Sequence, residues 1–227
     1  MIAARLVMAL ESIYLPRLNK LTPTLESTLL KAVEEAGELA RAVLKFLPYD
    51  DSPALAAAEP RAAERLLADV AGELLDVAQT CVTMIFVMED ACGIQADGLI
   101  NIHLDKLTAK GYCYDRGRTY RIATDGAFKY LNLPRLALHQ VTLLTTVCKI
   151  QEELGELTQF LGKRAGASGE GRDISADAVM RGCALELLDV AQCCFTMMYI
   201  LAEKYAVNIP ELLDSHIAKL RRKGYCV

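Results

Sequence analysis

Apolar positions along this chain recur at helical spacing, and no two segments alternate convincingly as paired strands would. The pattern predicts a helix over about 24–46, with Thr24 as its N-cap. Leu47-Pro48-Tyr49-Asp50-Asp51-Ser52-Pro53 is expected to end it and open a loop to about Pro60. A long helix is expected from about Arg61 to Cys92, closed by Gly93. Asp97 should cap a shorter helix ending at Lys110, with Gly111 just past its end. Residues 114–132 read as a linker without assigned structure. The scheme then repeats, with a helix over about 135–162 and a Gly/Ser-rich loop from Lys163 to Asp173. Helices over about 175–206 and 210–223 follow, the last opened by Pro210. Such a series implies an all-α fold of short antiparallel bundles.

The repetition extends to individual residues. Leu15-Pro16-Arg17-Leu18 returns as Leu133-Pro134-Arg135-Leu136, and Glu35 returns as Glu153, both 118 positions on. From Glu73 to Glu186 and from His103 to His216 the shift is 113, so the second copy is five residues shorter between its two acidic motifs. A period of domain size indicates tandem duplication, not a solenoid. The expected units are 1–118 and 119–227, packed on each other as an intramolecular pseudo-dimer.

Each copy carries an EExxE motif followed by ExxD. Glu34-Glu35 and Glu38 precede Glu73 and Asp76; Glu152-Glu153 and Glu156 precede Glu186 and Asp189. On the long helix the polar positions Asp69, Glu73, Asp76, Thr80 and Thr83 form one narrow stripe in an otherwise apolar surface. Carboxylates in such a setting are costly unless paired, protonated or bound to a cation. Glu35 and Glu38 share a face of a neighbouring helix, so antiparallel packing would bring four carboxylates together. An oxygen-only set favours Mg²⁺, or Mn²⁺, over zinc. A solvated acidic face is the plain alternative, and the repetition of both motifs weighs against it. A ferritin-like di-iron bundle would need Glu-x-x-His pairs, whereas Ile100, Leu136 and Leu213 stand three residues before His103, His139 and His216.

His103, Lys106 and Lys110 lie on one helical face, as do His216, Lys219 and Lys223. These lysines are candidates for phosphate oxygens, or ordinary helix C-terminal cations. Arg17 and Arg135 are further phosphate candidates. Tyr112 and Tyr225 could stack on a base or simply pack at a helix end.

Composition narrows the function. A net charge of −4 gives no electrostatic case for nucleic-acid binding. The first residues lack a secretory pattern. The most apolar run, Val77–Met88, falls short of the roughly 20 residues of a membrane span, so it is expected to be a buried helix and no membrane partner is expected. Eight cysteines form no CxxC, and 81/194 and 113/226 follow the duplication. They read as small buried thiols of a reducing, cytoplasmic location.

These motifs resemble the MazG-like, all-α NTP pyrophosphohydrolase superfamily, whose signature is EExxE, a spacer, ExxD, and a later lysine-bearing helix. The resemblance covers about 24–113 and 136–226. It implies that Glu35, Glu38, Glu73 and Asp76 hold Mg²⁺ in one half, and Glu153, Glu156, Glu186 and Asp189 in the other. Glu34 and Glu152 would be outer acids. Lys106, Lys110, Lys219 and Lys223 would face phosphates. Glu35, Glu38, Glu153 and Glu156 would serve catalysis by orienting or deprotonating water. The expected substrate is a nucleoside triphosphate or related phosphoanhydride, cleaved to monophosphate and pyrophosphate. Family members commonly build each pocket across a dimer interface, and here one chain could supply both sides, with further pairing into a homo-oligomer left open. A non-catalytic nucleotide- or metal-binding module is the alternative, and a plain helical interaction protein a third reading.

Overall fold

A computed structural model describes residues 12–18, 21–138, 140–166 and 175–226. The first residues, read as lacking a secretory pattern, lie outside the described residues up to position 11, as do His139 and most of the Gly/Ser-rich loop. The chain is mostly helical, with seven α-helices and three short strands among the described residues. In order they are β1 (Ile13–Pro16), α1 (Leu25–Asp51), α2 (Pro53–Ala58), α3 (Pro60–Cys92), a 3₁₀ turn (Ala96–Leu99), α4 (Ile100–Ala109), β2 (Arg121–Asp125), β3 (Phe128–Asn132), α5 (Leu143–Arg164), α6 (Ala176–Tyr205) and α7 (Ile209–Arg222).

Local chemistry explains most boundaries. Thr24 and Ser27 form a reciprocal capping box on α1, and Thr142 and Thr145 repeat it on α5. Ser175 and Asn208 cap α6 and α7. Gly93 closes α3 in the left-handed region at φ 67°, where a side chain would be strained.

Several expectations are corrected, and the helix expected from about 135 starts only at Leu143, behind the Thr142 cap. First, Leu47–Asp51 continue α1, with Pro48 inside the helix. Burial of Phe46 and bonds from the Tyr205 hydroxyl and the Lys204 amine to Asp50 hold this last turn in place. The remaining loop is largely helix α2. Second, Asp97 does not cap α4: its carboxylate accepts from the adjacent Gly98 N–H within the 3₁₀ turn. Third, the region read as a linker forms the β2–β3 hairpin, and β1 joins it in an antiparallel sheet of order β1-β3-β2.

The core is formed where α1 packs on α3, α5 on α6, α3 on α6 and α1 on α5. Both α3 and α6 are long and apolar enough to cross a membrane by composition alone, yet 83% and 72% of their apolar windows are buried within the protein. Cys81, Cys183, Cys194 and Cys226 are buried, whereas Cys113 and Cys148 are exposed, contrary to the expectation of uniformly buried thiols.

Candidate functional site

Two acidic clusters sit between the helices. The first draws Glu35 from α1 and Glu73 and Asp76 from α3; the second draws Glu153 from α5 and Glu186 and Asp189 from α6. Within each cluster one carboxylate oxygen per residue lies within 4.8 Å of the others. A helix from the opposite series covers each cluster. Lys219 of α7 donates to both oxygens of Asp76, at 3.0 and 2.7 Å, and His216 Nδ1 lies 3.7 Å from the same carboxylate. Lys106 of α4 donates to Glu186 at 2.9 and 3.0 Å and lies 2.6 Å from Asp189. Of the lysines picked out as phosphate contacts, Lys106, Lys110 and Lys219 thus meet the acids themselves.

The first cluster opens into a cleft of about 710 Å³. All four expected acids, Glu35, Glu38, Glu73 and Asp76, line it together with Lys31, Lys219 and Lys223. Tyr225 stands on one wall, and Leu18, Leu21 and Pro23 supply apolar surface. Lys31 pairs with Glu35 at 2.7 Å one helical turn away. Glu73 forms no ion pair among the described residues. Burial raises its pKa, and the neighbouring charges of Glu38, Asp76 and Glu35 raise it further. Burial likewise raises Glu35 against the pull of Lys31. The cluster therefore carries more negative charge than its own lysines neutralise, and its donors are hard oxygens. The residues fit a divalent cation of the Mg²⁺ type.

The second cluster differs. Glu153, Glu186 and Asp189 are all buried, and Glu156 is exposed and off the adjoining cavity. That cavity measures about 180 Å³ and reaches only Glu153 and Asp189 of the acids. His103 Nδ1 lies 2.9 Å from Asp189, and Lys110 lies 3.7 Å away. Burial acts to raise Asp189, but the close approach of His103 and Lys106 outweighs it and holds the carboxyl at about 2. Glu186 is pushed up to about 7, first by burial and then by Asp189 and Glu156, with Lys106 opposing.

Arg17 and Arg135 are not among the residues lining the two acid-bearing pockets. Arg17 pairs with Asp90 and Arg135 with Glu203, and each guanidinium lies over a ring, Phe86 and Tyr199 respectively. The Leu-Pro-Arg-Leu segments contribute to the pockets through Leu18 and Leu136 and through backbone carbonyls instead. Pro16 C=O accepts from Gln79 Nε2 at 2.9 Å, and Pro134 C=O accepts from Gln192 Nε2 at 2.8 Å. Gln79 and Gln192 line the two cavities, and the Oε1 of each is buried without a partner. Sequence reasoning missed these glutamines and the pair Lys31 and Lys149. The signals were present: both pairs obey the repeat shifts, and each lysine stands four residues before its glutamate. Comparison with protein-family models, with curated proteins and with solved structures returned no match.

Proposed function

We propose that the chain is a Mg²⁺-dependent nucleoside triphosphate pyrophosphohydrolase of the MazG-like kind, cytoplasmic, with its two halves acting as a covalent pseudo-dimer. The observation that carries this reading is the first cleft, where four carboxylates from two helices face lysines brought by a helix of the other half. A divalent cation bound by Glu35, Glu73 and Asp76 would neutralise the triphosphate and acidify an attacking water.

The chain's own residues supply the rest. Lys223, and Lys219 and Lys31 once Asp76 and Glu35 turn to the cation, offer N–H donors to phosphate oxygens. Glu38 lines the cleft with only a long 3.4 Å contact from Arg41, so its carboxylate is the better placed to take a proton from water. Water attacks the α-phosphorus, the bond to the bridging α,β-oxygen breaks, and pyrophosphate leaves. Charge stabilisation and placement suffice for such a transfer. The apolar wall and Tyr225 would hold the base.

The test is pyrophosphate release from a panel of canonical and modified NTPs with Mg²⁺ or Mn²⁺. Glu38→Gln and Asp76→Asn are expected to abolish release while the far-UV spectrum persists. Unchanged release from Glu38→Gln/Glu156→Gln refutes the reading. Nucleotide binding without release supports a non-catalytic module.

A further inference from the structure

The two acidic clusters are built from corresponding residues but are closed to different degrees. In the first, Asp76 keeps 21% of its side-chain surface and meets His216 only at 3.7 Å. In the second, Asp189 keeps 5% and meets His103 at 2.9 Å and Lys106 at 2.6 Å. Lys106 also takes both oxygens of Glu186. Glu73 lines an open cleft, whereas its counterpart Glu186 lines no part of the neighbouring cavity. The surviving part of that cavity is bounded by Leu107, Tyr112, Leu136 and Val141 on its apolar side. The orphaned Oε1 is common to Gln79 and Gln192, so the difference between the two sites lies in the acids and in the helix that covers them.

We propose that metal binding belongs to the first cluster alone, and that the second is an internal charge clasp in which Lys106 and His103 occupy the place of the cation. This rests on the metal reading of the preceding section. The chain duplicated one site and then used the copies differently. The Lys106 ammonium bridges Glu186 and Asp189 and fastens α4 onto α6. Over the first cluster Lys219 engages Asp76 alone, leaving Glu73 and Glu38 to a ligand. Buried acids that already lie against an ammonium at ion-pair distance gain little from exchanging it for a hydrated divalent ion, which must itself lose water.

The probe is Mn²⁺ alone, followed by calorimetry and by the electron paramagnetic resonance of the free ion, on the full chain. Glu73→Gln/Asp76→Asn is expected to weaken binding by more than about 100-fold, beyond what loss of an outer-shell partner causes. Glu186→Gln/Asp189→Asn is expected to change it by less than about 3-fold. An independent arm uses Lys106→Met, which uncovers the second acids. Its melting temperature should fall and be restored by Mn²⁺ more strongly than that of the native chain, with a new set of bound ions. Mn²⁺ that survives Glu73→Gln/Asp76→Asn and is lost on adding Glu186→Gln/Asp189→Asn overturns the proposal. So does a Lys106→Met chain that gains neither binding nor Mn²⁺-dependent stability. A native chain that binds no Mn²⁺ overturns the metal assignment of the preceding section as well. Binding at both clusters leaves that assignment standing and sinks only the clasp.

Discussion

Lys129→Met is expected to be among the most damaging single changes outside the acidic clusters. The Lys129 side chain is 1% exposed, on strand β3. Its ammonium donates to both oxygens of Glu89 at 2.8 Å and to the Thr124 hydroxyl at 2.7 Å, so all three of its protons are used. The ammonium also lies 4.8 Å from the Phe86 ring centroid. Methionine fits the stem but leaves the Glu89 carboxylate, 13% exposed, against an aromatic wall. Removing one partner of a buried pair costs about 3–5 kcal/mol. Glu89 retains a weak bond from Ala96 N–H, which favours the lower end, about 3 kcal/mol. At about 2–4 °C per kcal/mol for a chain of this size, Tm should fall by about 6–12 °C. Urea melts of Lys129→Met, Glu89→Met and the double variant form the assay. The double variant should recover most of the loss, because no unpaired charge remains. A Lys129→Met loss below about 1 kcal/mol, or single-variant losses that simply add, refutes the reasoning. The consequence reaches the cleft: Lys129 pairs in register with Leu15, and the next residue, Pro16, anchors Gln79.

Stability near neutral pH should reflect two opposed titrations. Burial pushes His216 down to about 4 against the attraction of Asp76, so its contribution is complete above the unfolded value near 6.5 and is lost as pH falls toward 4. Glu186, raised to about 7, acts oppositely: stability rises as pH falls from 7 toward its unfolded value near 4.5. Each term is on the order of 3 kcal/mol, so the two largely offset each other in urea melts of the native chain from pH 7 to 4.5, and the raised Glu35 and Glu73 add a gain on acidification. His216→Gln should gain stability on acidification and Glu186→Gln should lose it; matching slopes in the two variants would contradict the assignment. Gln79→Met leaves the buried Pro16 carbonyl unpaired and should cost about 1–3 kcal/mol in the same melts. Its effect on the nucleotide KM should exceed that on kcat if the amide serves only to position substrate.

Much of the helical scaffold was legible in the residues. Caps such as Thr24 and the Gly93 terminus act within a few positions, so local spacing reveals them. The sheet was not. Strand β1 is four residues long, and its partner lies more than a hundred positions away. In β3 one of the two inward positions is Lys129, which breaks the apolar alternation because its charge is met by Glu89, a residue of α3. The Asp125-Gly126 pair, with Gly126 at φ 58°, was the one local sign of a hairpin. The continuation of α1 through Pro48 was equally hidden, since Tyr205 and Lys204 of α6 hold that turn.

By itself the sequence determined the repeated carboxylates at fixed helical spacing and the basic stripe that follows each set. Only the tertiary structure decided that each stripe crosses to the other copy's acids. It also decided that one cluster lies open while the other is sealed. Two motifs with the same pattern of acids differ because closure depends on distances between separate helices, and the histidine lies 3.7 Å from its aspartate over the open cleft but 2.9 Å over the closed one.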